Sequence, residues 1–233
     1  MPRGFLLHSR PYRETSLIAT FMTDTDGRID LMVRSARGGR NKKFQPILPF
    51  CLYELSWVGK GELKHLQFFE TLDSSVELSG SSLFCAFYLN ELLYRLLPQH
   101  EPEHVLLRAY SLALQQLANA DKFEPILREP VLREFELTLL ETLGYGLDFL
   151  TDQAGAALEI GCRYLFVPEA GLSRVTSEMA VSRAIVSDAE FFTAMARRDF
   201  SSAEVRQLAK AVLRAALAVY LGTRPLRSRE LFR

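Results

Sequence analysis

Five cations fall within ten positions in the stretch RSARGGRNKKF: Arg34, Arg37, Arg40, Lys42 and Lys43. No acid interrupts them, and Gly38 and Gly39 keep the backbone loose. A run of this kind attracts a polyanion, and a Gly-rich cationic loop between two strands suits a phosphate backbone tracked without base readout. The plain alternative is a solvated loop. Arg10 and Arg13, in SRPYRE, extend the same charge. Phe44, Tyr12 and Trp57 are aromatics that can stack on bases, or equally sit in a core or at a barrel rim. A second basic cluster closes the chain, where TRPLRSRELFR carries Arg224, Arg227, Arg229 and Arg233 against Glu230. Leu226, Leu231 and Phe232 in that segment are apolar, so part of it is expected to dock onto the body.

These clusters stand out because the chain as a whole is neutral, with 28 basic and 28 acidic residues among 233. Neutrality excludes a general nucleic-acid coat. It leaves room for a local patch, since fields act over roughly 8–10 Å at physiological salt. Other chemistries find less support. HEPEH, His100 to His104, matches the zinc-protease spacing H-E-x-x-H, which requires both histidines on one helix. Pro102 between them favours an extended Glu101 and a helix start, leaving His100 outside. A hydrolase built on His100, Glu101 and His104 is therefore the weaker alternative. His8 and His65 lie in strands with no nucleophile or acid partner in view. No G-x-S-x-G, P-loop or G-x-G-x-x-G occurs. The expectation is a protein that is not an enzyme and uses no cofactor. The three cysteines, Cys51, Cys85 and Cys162, are scattered, which suggests reduced thiols in a cytoplasm. No stretch approaches the ~20 apolar residues of a membrane span.

The elements that must position these residues fall into two groups. GFLLHSR, SLIATFMT, RIDLMVRS, CLYELSWVG and LKHLQFFETL are short, apolar and bounded by turn chemistry, with DTDG a hairpin turn that needs Gly27. Five such strands fit a small closed barrel of the OB type. From Ser82 helical spacing takes over. SSLFCAFYLNELLYRLL is apolar nearly all round and reads as a buried helix. Two further helices follow, the second stopped by Gly144 and Gly146. RYLFVPEAGLSRV reads as an isolated hairpin. A last helix opens with Ser201 and Glu204 at capping-box spacing. The fold class is thus α+β: an N-terminal five-stranded OB-fold barrel over residues 1–80, then a mainly α-helical domain with a small β-hairpin and a basic tail over residues 81–233.

The motifs LHSRPYRETSL, GRIDLMVRSARG, GKGELK, NELLYRLL, LGYG and above all LGTRPLRSRELFR, in this order along nearly the whole chain, resemble the RecO family of bacterial DNA repair and recombination mediators. The resemblance implies an OB-fold plus a helical domain, and binding of single- and double-stranded DNA. It implies annealing of complementary strands without ATP, and loading of RecA, together with RecR, onto DNA coated by single-strand-binding protein (SSB). It also implies capture of the acidic SSB C-terminal tail and a cytoplasmic, nucleoid-associated place. Many members carry a four-cysteine zinc site after the LGY region. Cys162 stands alone there, so no structural zinc is expected. For the SSB tail, ILREPVLREFELTLL offers cations Arg128 and Arg133 at a helix start, with Leu132, Leu137 and Leu140 to line an apolar notch. The alternative is that both arginines pair with Glu129, Glu134 or Glu136. A generic RNA-binding OB module is the remaining alternative for the whole chain.

Overall fold

A computed structural model describes residues 1–34, 46–72, 76–122, 125–176 and 184–232. The expected strands are β1 (Arg3–Tyr12), β2 (Ser16–Thr23), β3 (Gly27–Val33), β4 (Leu52–Val58) and β5 (Leu63–Thr71). They close a barrel in the order β1-β2-β3-β5-β4, sealed by parallel pairing of β3 with β5. Alternate residues point inward, so Ala19, Phe21, Ile29, Leu31, Val33, Tyr53 and Leu55 fill the interior. The DTDG turn joins β2 to β3, with Gly27 at φ +64°. A Cβ at this position would stand 2.1 Å from the Glu101 carbonyl oxygen, so packing as well as turn geometry demands glycine.

β1 is interrupted by one extra residue. Leu6 pairs with Phe21 but His8 pairs with Thr20, leaving Leu7 as a bulge. Because side chains alternate with period 2, this insertion exchanges the faces of the strand. Leu6 joins the barrel interior. His8 and Arg10, two and four residues on, are carried to the outer face opposite Thr20 and Ile18. The bulge region also presents the Leu6 and Leu7 carbonyls to α1 (Gly80–Leu96). The buried Asn90 amide donates to both, at 3.3 and 3.1 Å. Its Oδ1 accepts from the hydroxyl of Tyr110 on α2 (His104–Lys122), which is itself fully buried.

α1 is buried over most of its circumference, as its composition predicts. It packs with the barrel and α2, so the switch from strand to helix near residue 80 is not a boundary of compactness. One compact unit spans Met1–Pro125 together with the tail from Leu226. The other spans Ile126–Pro225. The second unit holds α3 (Arg128–Thr142), α4 (Ala189–Ala196), α5 (Ala203–Leu221) and strands β6 (Arg163–Val167), β7 (Gly171–Arg174) and β8 (Ile185–Asp188). The expected hairpin is β6–β7, but it is not isolated. β8 adds to β6, giving the order β7-β6-β8. β8 and the eight-residue α4 are too short to show a period in the sequence. The cap of α5 is Ser202, whose hydroxyl accepts from the Val205 N–H, one residue beyond the expected Ser201. Arg198, between α4 and α5, ties Glu134 and Glu141 of α3 together. Among the described residues no helix is long and apolar enough to cross a membrane.

Replacing Asn90 by Leu strands two carbonyls and a phenol in the core. The Asn90→Leu variant is expected to lose about 2–4 kcal/mol, with Tyr110→Phe losing about 1–2. Trp57, the only tryptophan, lies in the barrel, so its fluorescence during denaturant unfolding reads this unit. A shift of under about 0.5 kcal/mol for Asn90→Leu would remove the bulge cap from its assigned role.

Candidate nucleic-acid interface

The outer face of β1–β3 is built in rows by strand register. His8, Thr20 and Asp30 form one row; Arg10, Ile18 and Met32 form the next. Beyond them, Arg13 and Arg34 line an open depression with Glu14, Thr15, Ser16 and Met32. Arg13 takes φ +51° in the β1–β2 turn, and its guanidinium lies over the Tyr12 ring at 5.2 Å. Within the described residues neither Arg10 nor Arg34 has an ion-pair partner, and both are exposed. Arg37, Arg40, Lys42, Lys43 and Phe44 lie outside the described residues, and the segment that carries them starts directly after Arg34.

The other end of this face is closed. Arg28, also directed outward, donates from Nε to the Leu97 carbonyl at 2.8 Å and lies over Tyr94. The chain after α1 bridges to Arg28 through Gln99, with the His100 N–H on the Arg28 carbonyl. HEPEH is therefore part of this docking edge. His100 sits at φ +63° outside α2, which begins at His104, so the two imidazoles do not share a helical face. This corrects the hydrolase alternative on His100, Glu101 and His104. Among the described residues no group of three or more His, Cys, Asp or Glu side chains could hold a metal. Cys162 instead accepts a hydrogen bond from Arg174 at 3.0 Å. Trp57 packs against the barrel core with Lys64 over its ring at 5.7 Å, which is the core role rather than a base platform.

The C-terminal cluster divides. Arg224 is exposed on the second unit, whereas Arg227 and Arg229 belong to the first. Leu226 is buried, as the docking expectation requires, but Leu231 remains exposed. The anchor is polar as well as apolar. Glu91 of α1 accepts from the Arg227 N–H at 2.9 Å, the Ser228 N–H at 2.8 Å and the Ser228 hydroxyl at 2.6 Å. These groups open the 3₁₀ helix Arg227–Phe232. Three residues along α1, Tyr94 stacks on His8 at 4.7 Å. The structure thus brings Arg227 to the neighbourhood of His8 and Arg10. Desolvation, then the charge of Arg10 and more weakly that of Arg227, hold the His8 imidazole below its ordinary value against the pull of Asp30 and Glu91. Sequence reasoning passed over Asn90 and Glu91. The only local trace of the bulge is the unbroken apolar run Phe5-Leu6-Leu7.

The residues expected to form an SSB notch lie on the second unit, and their burial does not form one as expected. Arg133 is buried and paired with Glu136 at 2.8 Å, so it follows the internal-pairing alternative. Leu137 and Leu140 are core, and Leu132 is half-buried. A helical stripe facing the core cannot also line an open notch. Arg128 is half-buried at the start of α3, next to exposed Ile126 and Leu127. Its neighbour Glu129 is engaged by Arg206 and Lys210 of α5.

Residues 2–75 match the model of the Recombination protein O N-terminal domain, and residues 78–230 that of its C-terminal domain. The chain belongs to the RecO family. It is 39% identical to DNA repair protein RecO of Cellvibrio japonicus, with 98% of this chain and 94% of that protein covered. It is 40% identical to the RecO of Serratia proteamaculans, with 99% and 92% covered. RecO membership assigns it to DNA repair and recombination and agrees with the barrel and its basic outer face.

The tail anchor is pH-dependent with a definite sign. Desolvation raises the Glu91 carboxyl, but the Ser228 hydroxyl and the two backbone N–H groups outweigh it and hold it below its ordinary value. A carboxylate depressed in the folded state stabilises fully above its unfolded pKa, and that stability is lost as pH falls through the lower folded value. Hydrogen exchange at the Arg227 and Ser228 amides should therefore be slow at neutral pH, once corrected for intrinsic rates. Protection should collapse below the ordinary carboxylate range. A Glu91→Gln variant should lack this acid transition. Protection that persists unchanged into strong acid would contradict the assignment.

Proposed function

We propose that this RecO protein is a non-catalytic mediator that binds single- and double-stranded DNA and anneals complementary strands without ATP. With RecR it helps load RecA onto single strands coated by SSB. The observation that carries the reading is the pair of exposed arginines on and just beyond the β1–β3 face, Arg10 and Arg34, which have no ion-pair partner among the described residues and lead into the cationic segment 35–43. Cations without acidic partners favour an external polyanion. Their placement along a strand face fixes phosphates and reads no bases. Annealing needs this screening of two approaching strands, together with contacts weak enough to release the duplex.

Annealing should proceed equally with and without ATP and a magnesium chelator, on naked and on SSB-coated strands. A strict nucleotide requirement would overturn the non-catalytic reading. Replacing Arg37, Arg40, Lys42 and Lys43 with Ala should flatten the log–log salt dependence of single-strand binding by up to about 3 units. Replacing Arg10 and Arg34 should flatten it by about 0.7 each, equally for different base sequences. A strong preference for RNA over DNA of equal length would favour a generic RNA-binding module instead.

For the SSB tail, Arg128 is carried forward from the expected set, and exposed Ile126 and Leu127 replace the buried leucines. Together they offer a cation beside apolar surface to a peptide that ends in acids and an apolar residue. Arg128→Glu should weaken binding of an SSB tail peptide about tenfold, ~1.4 kcal/mol, while naked-DNA binding changes little. Unchanged peptide affinity would place the site elsewhere.

A further inference from the structure

Arg10 and Arg227 are separated by nearly the whole chain, yet both are held around one helix. Asn90 binds the Leu6 and Leu7 carbonyls of β1. Glu91, the next residue, binds the Arg227 N–H and both donors of Ser228. Tyr94, one turn further, stacks on His8, and Arg10 follows His8 on the same strand face. The acid at the centre of this arrangement is spent on backbone and hydroxyl donors. It makes no ion pair with Arg227, and within the described residues the exposed Arg227 side chain has no acidic partner. The other acid facing His8, Asp30, accepts from the Thr20 hydroxyl at 2.6 Å.

We propose that Glu91 is a positioning residue, a latch that sets the tail so that Arg227 and Arg10 flank His8 as one phosphate-binding subsite for single-stranded DNA. The proposal rests on the DNA-binding reading above and adds to it a site made jointly by the first strand and the last turn of the chain. Two guanidiniums whose backbones are set near one imidazole, by strand register for Arg10 and by Glu91 for Arg227, suit one phosphodiester, the imidazole N–H adding a donor and no charge. A bare electrostatic patch makes the opposite prediction for Glu91. Removing an anion beside bound DNA should then tighten binding. Under the latch it weakens binding, because the arginine is no longer held in place.

The test uses the full chain and a single-stranded oligothymidylate. Glu91→Ala, Arg227→Ala and the double variant are compared by the salt slope of binding and by hydrogen exchange at Ser228. Arg227→Ala should lower the slope by about 0.7. Glu91→Ala should lower it by a similar amount although it removes no cation, and should expose the Ser228 amide. The double variant should be no worse than either single one, since both disable the same contact. Glu91→Gln, which keeps an acceptor, should recover part of the loss. If Glu91→Ala compromises folding of the first unit by Trp57 fluorescence, Ser228→Ala removes one latch donor and should produce a smaller loss in the same direction. Binding as tight as or tighter than the parent, with Ser228 deprotected, overturns the subsite. So does a Ser228 amide that stays protected without Glu91. If Arg10→Ala and Arg34→Ala also leave the salt slope intact, it is the DNA-binding face itself that fails, and not the latch alone.

Discussion

The first unit depends on one extra residue in β1 and on the side chain that makes it tolerable. A bulge leaves ladder carbonyls without strand partners, and a buried carbonyl without a donor costs about 1–3 kcal/mol. Asn90 supplies the donors and is itself satisfied by Tyr110. Barrel, α1 and α2 therefore meet in one closed polar network inside an apolar layer. Such a network fixes register, because any slip would leave several of its members unpaired at once. The insertion is also what gives β1 two characters. Before it, Leu6 serves the barrel interior; after it, His8 and Arg10 face outward.

Arginines on one strand face meet two fates. Arg28 lies where the chain after α1 folds over the barrel, its Nε donating to the Leu97 carbonyl and its guanidinium lying over the Tyr94 ring. Arg10 and Arg34 are exposed, and among the described residues neither has an ion-pair partner. Nothing in their side chains distinguishes them; the edge of the helical layer does. The helix that leads into this cover places Tyr94 between Arg28 and His8 and presents Glu91 to the tail. Cover and patch are thus set by one rigid element, which favours a reproducible spacing of charges over a diffuse basic surface.

Local signals were legible in the sequence and long-range ones were not. The strands announced themselves by composition and turns, Gly27 by its place after DTD, and the burial of α1 by apolar residues all round. Pro102 told correctly that His100 and His104 are not a helical pair. The docking of the tail could be read from its apolar residues, since burying them is favourable, although only Leu226 and not Leu231 is buried. Its polar anchor could not, since Glu91 looks like any helical glutamate until a residue 137 positions later is placed on it. Arg133 failed for the complementary reason. A cation in a helix reads as surface, yet Glu136 three residues on lets the pair be buried together. Strand β8 and helix α4 were too short for any period to emerge.

The return of the tail has a consequence for how the molecule is made. Glu91 leaves the ribosome long before Ser228, and at about 5–20 residues per second the gap of 137 residues corresponds to roughly 7–27 s. Throughout that interval the barrel and its two helices can assemble while the seat for the tail stands empty. A product cut short anywhere before Ser228 can carry a sound barrel yet lack the segment that occupies Glu91. A chain terminated before that point leaves the Glu91 carboxylate without its three donors, so the state of this single acid distinguishes a truncated first unit from one that has received its tail.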